Sequence, residues 1–190
     1  QPRFRAAMRE ATAHRSARVL IYFASLGLSY LLIEVATIQQ FVLLLGQPTL
    51  AITTVLASLL LFSGVGSTYS ERVPWSAALA GLVGVLAVWP WLLSAVSAIA
   101  LPLPLGVRVA GAVLVLLPPG FLMGIPFARG LTAIRRDPEL VPWAWAINGS
   151  ASVISAVVAS LLALSFGFRW VLWTGAALYA LAWLTRPPRA

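Results

Sequence analysis

The sequence predicts an all-α, polytopic membrane protein with about six transmembrane helices and both termini on the cytoplasmic side. Three observations carry this. Of 190 residues, 61% are hydrophobic and 9% charged, against about 45–50% and about 25% in average soluble domains. The apolar residues gather into runs near the ~20 residues that cross a bilayer. The arginines cluster outside those runs. The same arithmetic excludes a soluble globular enzyme, a disordered tail and a nucleic-acid-binding domain, because too few polar residues remain to cover a water-facing surface.

The first run spans about 19–45 and ends at the turn signal Gly46-Gln47-Pro48. The second covers about 49–69 and closes in the polar stretch 70–74. The third, about 75–101, contains Pro90 between Trp89 and Trp91, and Pro102 and Pro104 mark the loop after it. The fourth, about 107–127, holds Pro118-Pro119-Gly120 and Pro126 and reads as a broken helix. A sizeable loop is expected at 128–142, then a fifth run at about 143–165 and a sixth at about 168–184. Strands are excluded, since transmembrane strands alternate apolar and polar residues over about ten positions and these runs are apolar on every side. Helices remain, because in lipid the backbone must satisfy its own hydrogen bonds.

Arginine supplies all thirteen basic residues, the net charge is +8, and mean hydropathy is +0.94. Eleven arginines lie on the side of the termini: Arg3, Arg5, Arg9, Arg15, Arg18, Arg72, Arg129, Arg135, Arg136, Arg186 and Arg189. Two, Arg108 and Arg169, lie on the other. That bias places both ends inside. Trp75, Trp143, Trp145 and Trp183 are expected at the inner boundary, and Trp170 and Trp173 near the outer one. The organisation expected is a basic cytoplasmic connector at 1–18, a six-helix membrane domain at 19–185 and a cytoplasmic tail at 186–190. The chain opens on Gln within a basic stretch, which reads as the tail of something upstream, so a piece of a longer protein is expected. There is no cysteine, and His14 is the sole histidine. Thiolate and zinc sites are therefore not expected, nor is a cofactor in this chain.

Small residues mark close-packing faces. In the fifth run these are Ser152, Ala156 and Ser160, beside Ala151, Ser155, Ala159 and Ala163. In the second run they are Ser63-Gly64-Val65-Gly66-Ser67, and in the third Ala77, Gly81 and Gly84. Gly64-x-Gly66 closes an apolar run instead of following a strand, so it is not a nucleotide-binding loop.

Glu34 is the one acid deep in a run, where a carboxylate costs roughly 2.5–3.5 kcal/mol on insertion scales. It must be protonated, paired or facing water. Tyr30 and Thr37 share its helical face; Asn148 and Arg129 are candidate distant partners. With Gln39 and Gln40 it forms a candidate intramembrane polar site, to which Asn148 is added. Two readings stand for Glu34: proton, cation or substrate handling, or an interhelical hydrogen-bond clamp. Arg129, Arg135 and Arg136 are candidate cytoplasmic contacts, facing either lipid headgroups or a docked domain. Asp137 and Glu139 are close carboxylates, but without a histidine or a cleft they make a poor acid–base pair.

Four blocks resemble bacterial membrane-bound spermidine-synthase-like proteins, which are polyamine aminopropyltransferase-like. They are Leu32-Ile33-Glu34-Val35-Ala36-Thr37-Ile38-Gln39-Gln40-Phe41 with Leu45-Gly46-Gln47-Pro48-Thr49, then Leu60-Leu61-Phe62-Ser63-Gly64-Val65-Gly66-Ser67, then Gly120-Phe121-Leu122-Met123-Gly124-Ile125-Pro126-Phe127, and Pro142-Trp143-Ala144-Trp145-Ala146-Ile147-Asn148-Gly149-Ser150-Ala151-Ser152. The resemblance runs in order over roughly 20–167. It implies that this is the C-terminal membrane region, in the bacterial inner membrane, joined to a Rossmann-like aminopropyltransferase or methyltransferase-type domain that lies outside the chain and holds the catalytic residues. The implied partners are the lipid bilayer and that upstream soluble domain, with no nucleic acid. Two alternatives are kept. One is a half-transporter module of major-facilitator type, for which Glu71-Arg72 is a faint echo of that family's charged loop and which would need a second half or a homodimer. The other is a structural membrane subunit.

Overall fold

The computed structural model describes the backbone of residues 2–187 and the side chains of 15–187. Expectations for Arg3, Arg5, Arg9, His14 and Arg189, and for residues 188–190 of the tail, lie outside these. Six helices make up the described chain: α1 (Pro2–Leu45), α2 (Pro48–Thr68), α3 (Trp75–Ala100), α4 (Leu105–Ala133), α5 (Leu140–Phe166) and α6 (Phe168–Thr185). No strand occurs among the described residues. Five helices are long and apolar enough to cross a membrane: Arg15–Leu45 within α1, and α2 to α5. α6 has 18 residues and carries Arg169 with three tryptophans, so it is shorter and less apolar than the rest.

Helix boundaries follow the punctuation, with three corrections. Gly46 adopts φ +75°, a left-handed conformation that suits glycine, and Pro48 opens α2 at a position where its missing N–H costs nothing. Gly167, at φ +87°, turns α5 directly into α6. The expected 128–142 loop is only 134–139. Helical order outlasts the apolar run because the polar last turn of α4 finds its own partners, Thr132 Oγ1 donating to Ala128 O at 3.0 Å. Likewise α1 starts at Pro2, so residues 2–18 of the basic stretch are helical and continuous with the first span. The fourth helix is not broken: Pro118, Pro119 and Pro126 lie inside α4. Prolines are tolerated within such helices when neighbours support the backbone, and α4 is held along its glycines by α2.

That α2–α4 seam is a reciprocal backbone contact. A Cβ on Gly66 would collide with the carbonyl of Phe121, and one on Gly124 with the carbonyl of Ser63. Small residues let helix backbones approach this closely where van der Waals packing drives association. The fifth-helix face packs in part: Ala151, Ser155 and Ala159 are buried and α5 lies along α1, whereas Ser152, Ala156 and Ala163 are half-buried and Ser160 is exposed. The third-helix stripe does not. Ala77, Gly81 and Gly84 are exposed, and nothing lies within 4 Å of a Cβ on Gly84. α3 instead buries Leu79, Leu82, Leu86, Trp89 and Leu93, since large side chains give more contact than a glycine stripe.

α1 is the hub and touches every other helix. Around it the packed seams run α2–α4, α4–α3, α3–α6 and α6–α5. α5 and α2 share no packed seam, so the ring has one lateral gap. Near the N-terminal end of α6, Trp173 Nε1 donates to Ala87 O at 3.3 Å and Arg169 sits over the Trp91 ring at 5.5 Å, tying α6 to α3.

Candidate functional site

The gap between α2 and α5 is a groove of about 420 Å³ floored by α1. Its walls are Ser63, Gly64 and Ser67 from α2, Gly124 and Phe127 from α4, and Trp145, Asn148 and Ser152 from α5. Gly27 and Tyr30 form the floor, with Tyr179 of α6 behind. The contact of α1 with α5 shapes one wall. A Cβ on Gly27 would collide with the Asn148 carbonyl, so glycine lets the two backbones meet. Three side chains of α5 then donate to α1 carbonyls: Asn148 Nδ2 to Phe23 O at 3.0 Å, Ser152 Oγ to Gly27 O at 3.2 Å and Ser155 Oγ to Leu28 O at 2.6 Å. Toward the α4–α5 turn Phe127 and Trp145 meet edge to face, centroids 4.8 Å apart.

Most polar groups in the groove are already engaged. Ser63 and Ser67 donate to carbonyls of their own helix, which is the usual fate of serine inside a helix. The Tyr30 hydroxyl is buried beside Ser63 and completes no well-aligned hydrogen bond. The lining has aromatic walls and no charged side chain. It is suited to an uncharged or amphipathic molecule.

The expected intramembrane site is not brought together. Asn148 packs against Gly27, seven residues and therefore about 10 Å along α1 from Glu34. Gln39 lines a separate crevice of about 270 Å³ with Ala159, Ser160 and Phe168, while Gln40 is half-buried away from that crevice. Glu34 itself is 8% exposed and makes no ion pair or hydrogen bond among the described residues. Its expected partners are engaged elsewhere or unpaired. Thr37 Oγ1 lies 3.5 Å from Trp89 Nε1, Asn148 holds Phe23, and Tyr30 completes no well-aligned hydrogen bond. Arg129 Nη2 donates to Glu71 O at 3.2 Å and Val73 O at 3.1 Å. Arg129 is thus a staple on the α2–α3 turn, whose carbonyls need donors where the helix has ended.

The three candidate cytoplasmic arginines do converge. Arg129, Arg135 and Arg136 line one cleft of about 320 Å³ with Glu71, Thr132 and Trp75. Asp137 is taken up by Arg15, Nη2 to Oδ2 at 2.7 Å, and so is not left to pair with Glu139 as a catalytic acid. Trp75 is not an exposed anchor: it is buried and donates Nε1 to the Tyr22 hydroxyl at 3.2 Å. Trp143 and Trp145 are exposed.

Sequence reasoning read Ser63, Ser67 and Ser152 as packing surfaces and missed that they face one gap. It missed the aromatic wall of Phe127, Trp145 and Tyr179 altogether. No protein-family model, curated protein or solved structure matches this chain.

Proposed function

We propose that this chain is the integral-membrane region of a spermidine-synthase-like protein, anchoring an aminopropyltransferase or methyltransferase-type domain outside these residues. One observation supports this reading above the others. Three of the four sequence blocks that carry the resemblance, far apart along the chain, meet around a single groove. Ser63, Gly64 and Ser67 come from one, Gly124 and Phe127 from the next, Trp145, Asn148 and Ser152 from the last. Residues serving only as membrane anchor have no need to converge. In this reading the groove accepts the apolar part of a molecule that the catalytic domain receives or releases. α6 makes a sixth crossing, both termini lie inside the bacterial inner membrane, and the excess arginines face the cytoplasm.

The test is the coding sequence upstream of Gln1 and the activity of its product. A strand–glycine-loop–helix domain there, with aminopropyl transfer recovered in the membrane fraction, is the expected result. Absence of such a domain overturns the proposal. The transporter alternative draws on the same groove, which reaches from the inner end to Tyr30. Reconstituted vesicles showing polyamine or proton flux that Glu34→Gln abolishes would favour it.

A further inference from the structure

A larger cleft lies on the arginine-rich face, away from the groove. Its volume is about 620 Å³, and it opens between α1, α3 and α6. Arg18 and Arg186 flank it, the indoles of Trp75 and Trp183 wall it, and Ser76 stands in the first turn of α3. Arg18 Nη2 donates to the backbone carbonyl of Arg186 at 3.4 Å, which brings the Arg18 side chain against the backbone of Arg186, and both residues line the cleft. Neither guanidinium has a carboxylate partner among the described residues, and no acid lines the cleft. This differs from the neighbouring arginine cleft, where Glu71 shares the lining, and from Arg15, which Asp137 occupies.

Two arginines that line one cleft without a carboxylate partner among the described residues make it a positively charged site that an anion would neutralise. Guanidinium presents a planar fork of donors matched to phosphate oxygens. Tryptophans are the residues that settle at the headgroup level of a bilayer. A volume of 620 Å³ falls within the range of about 300–1,000 Å³ typical of ligand sites. We propose that this cleft binds the phosphate headgroup of an anionic phospholipid, Arg18 and Arg186 holding the phosphate and the indoles of Trp75 and Trp183 packing on the glycerol and upper acyl chain. The proposal rests on the placement of the arginine-rich ends at the headgroup layer, put forward above.

The experiment uses the full chain purified in neutral detergent and exchanged into mixed micelles of phosphatidylcholine and phosphatidylglycerol, with bound lipid read by native mass spectrometry. Wild type is expected to retain phosphatidylglycerol selectively. Arg18→Gln with Arg186→Gln is expected to lower retention about ten-fold, equivalent to about 1.4 kcal/mol. Arg135→Gln with Arg136→Gln removes the same charge from the same face and is expected to leave it unchanged. Ser76→Phe keeps every charge but fills the cleft, so it should lower retention as well; it decides the matter if the double arginine variant misfolds. Equal loss in both double variants, or retention indifferent to both Arg18/Arg186 and Ser76 changes, overturns the site. Full displacement of the lipid by an equal concentration of inorganic phosphate also overturns it, since the cleft would then be a free-anion site. Recovery of every variant in the alkali-washed membrane fraction separates failure of the cleft from failure of the membrane reading.

Discussion

The hydroxyl of Tyr22 donates to the carbonyl oxygen of Pro126 at 2.6 Å, inside the bundle. The same hydroxyl accepts from Trp75 Nε1, so one side chain of α1 is bonded to both α4 and α3. Room for it comes from Gly130, where a Cβ would stand 2.6 Å from the Tyr22 ring. Edge-to-face contacts carry the junction onward, from Trp75 through Tyr22 and Phe23 to Phe127 and Trp145. The end of the bundle that carries the α4–α5 turn is thus closed by a chain of aromatics across four helices.

Tyr22→Phe keeps the ring and removes the oxygen, leaving the Trp75 N–H unpaired and the Pro126 carbonyl without its tyrosine donor. Such buried groups cost about 1–3 kcal/mol when stranded, and that loss is expected in detergent unfolding followed by tryptophan emission. Tyr69→Phe, at an exposed position, is the matched control and should change nothing. Equal midpoints for the two variants would contradict the role assigned to the Tyr22 hydroxyl.

The α2–α4 seam makes a sharper demand. Gly66→Ala and Gly124→Ala each drive a methyl into opposing backbone, which cannot swing away as a side chain can. Overpacking of this kind costs about 1–3 kcal/mol or more. Gly64→Ala lies two residues from Gly66 in the same helix and meets nothing within 4 Å. It should be neutral or slightly stabilising, because alanine is the better helix former. Thermal melts of the three variants check the pattern, and a destabilised Gly64→Ala would refute it.

These pairs also explain how far the sequence could be read. Apolar run length and arginine position located the helices, since lipid thickness and charge cost act on each segment alone. The small-residue faces of α2 and α5 were legible for the same reason. The third-helix stripe misled because Ala77, Gly81 and Gly84 look like Gly66 in isolation; only a facing backbone distinguishes them. The polar site dissolved for a related reason. Glu34, Gln39 and Gln40 are neighbours in sequence but, at about 100° of turn per residue, they point to different helices. Which helix each one meets depends on the ring order around α1, and no local pattern encodes that.

Glu34→Gln preserves shape and hydrogen-bonding capacity while removing a charge that no cation pairs among the described residues. Breaking a buried pair is destabilising because it strands a charge; here there is none to strand. The expected midpoint is equal to or above that of wild type. A drop of several degrees would mean that the carboxyl has a partner in the folded protein, and the clamp reading of Glu34 would gain by it.

Asp137→Asn tests the weight of the ion pair between α1 and the α4–α5 turn. Arg15 and Asp137 approach to 2.7 Å, yet their side chains are 40% and 35% exposed, and the Asp137 oxygen concerned completes no aligned hydrogen bond. Pairs of this kind contribute about 0–1 kcal/mol. The variant is expected to melt within that margin of wild type, and the small difference should vanish at high salt, where exposed charges are screened. A salt-insensitive loss larger than this would show that the pair is shielded by a group not yet placed there.

The groove can be probed directly because the chain has no cysteine, so every introduced thiol reports alone. Ser67 and Ser152 are partly exposed in the groove wall, whereas Ser155, one turn further along α5, is fully buried against Leu28. Cysteine replaces serine with little change of volume, so the three variants should fold alike. Thiolate is the reactive form and needs water to exist. If the groove is wet from the arginine-rich side, Ser67→Cys and Ser152→Cys react with a small polar maleimide in vesicles, and Ser155→Cys does not. If lipid chains fill it, the two groove thiols react only with an apolar maleimide. Labelling of Ser155→Cys at the rate of the other two would mean that α5 separates from α1, and the wall built by Asn148, Ser152 and Ser155 would not exist in the membrane.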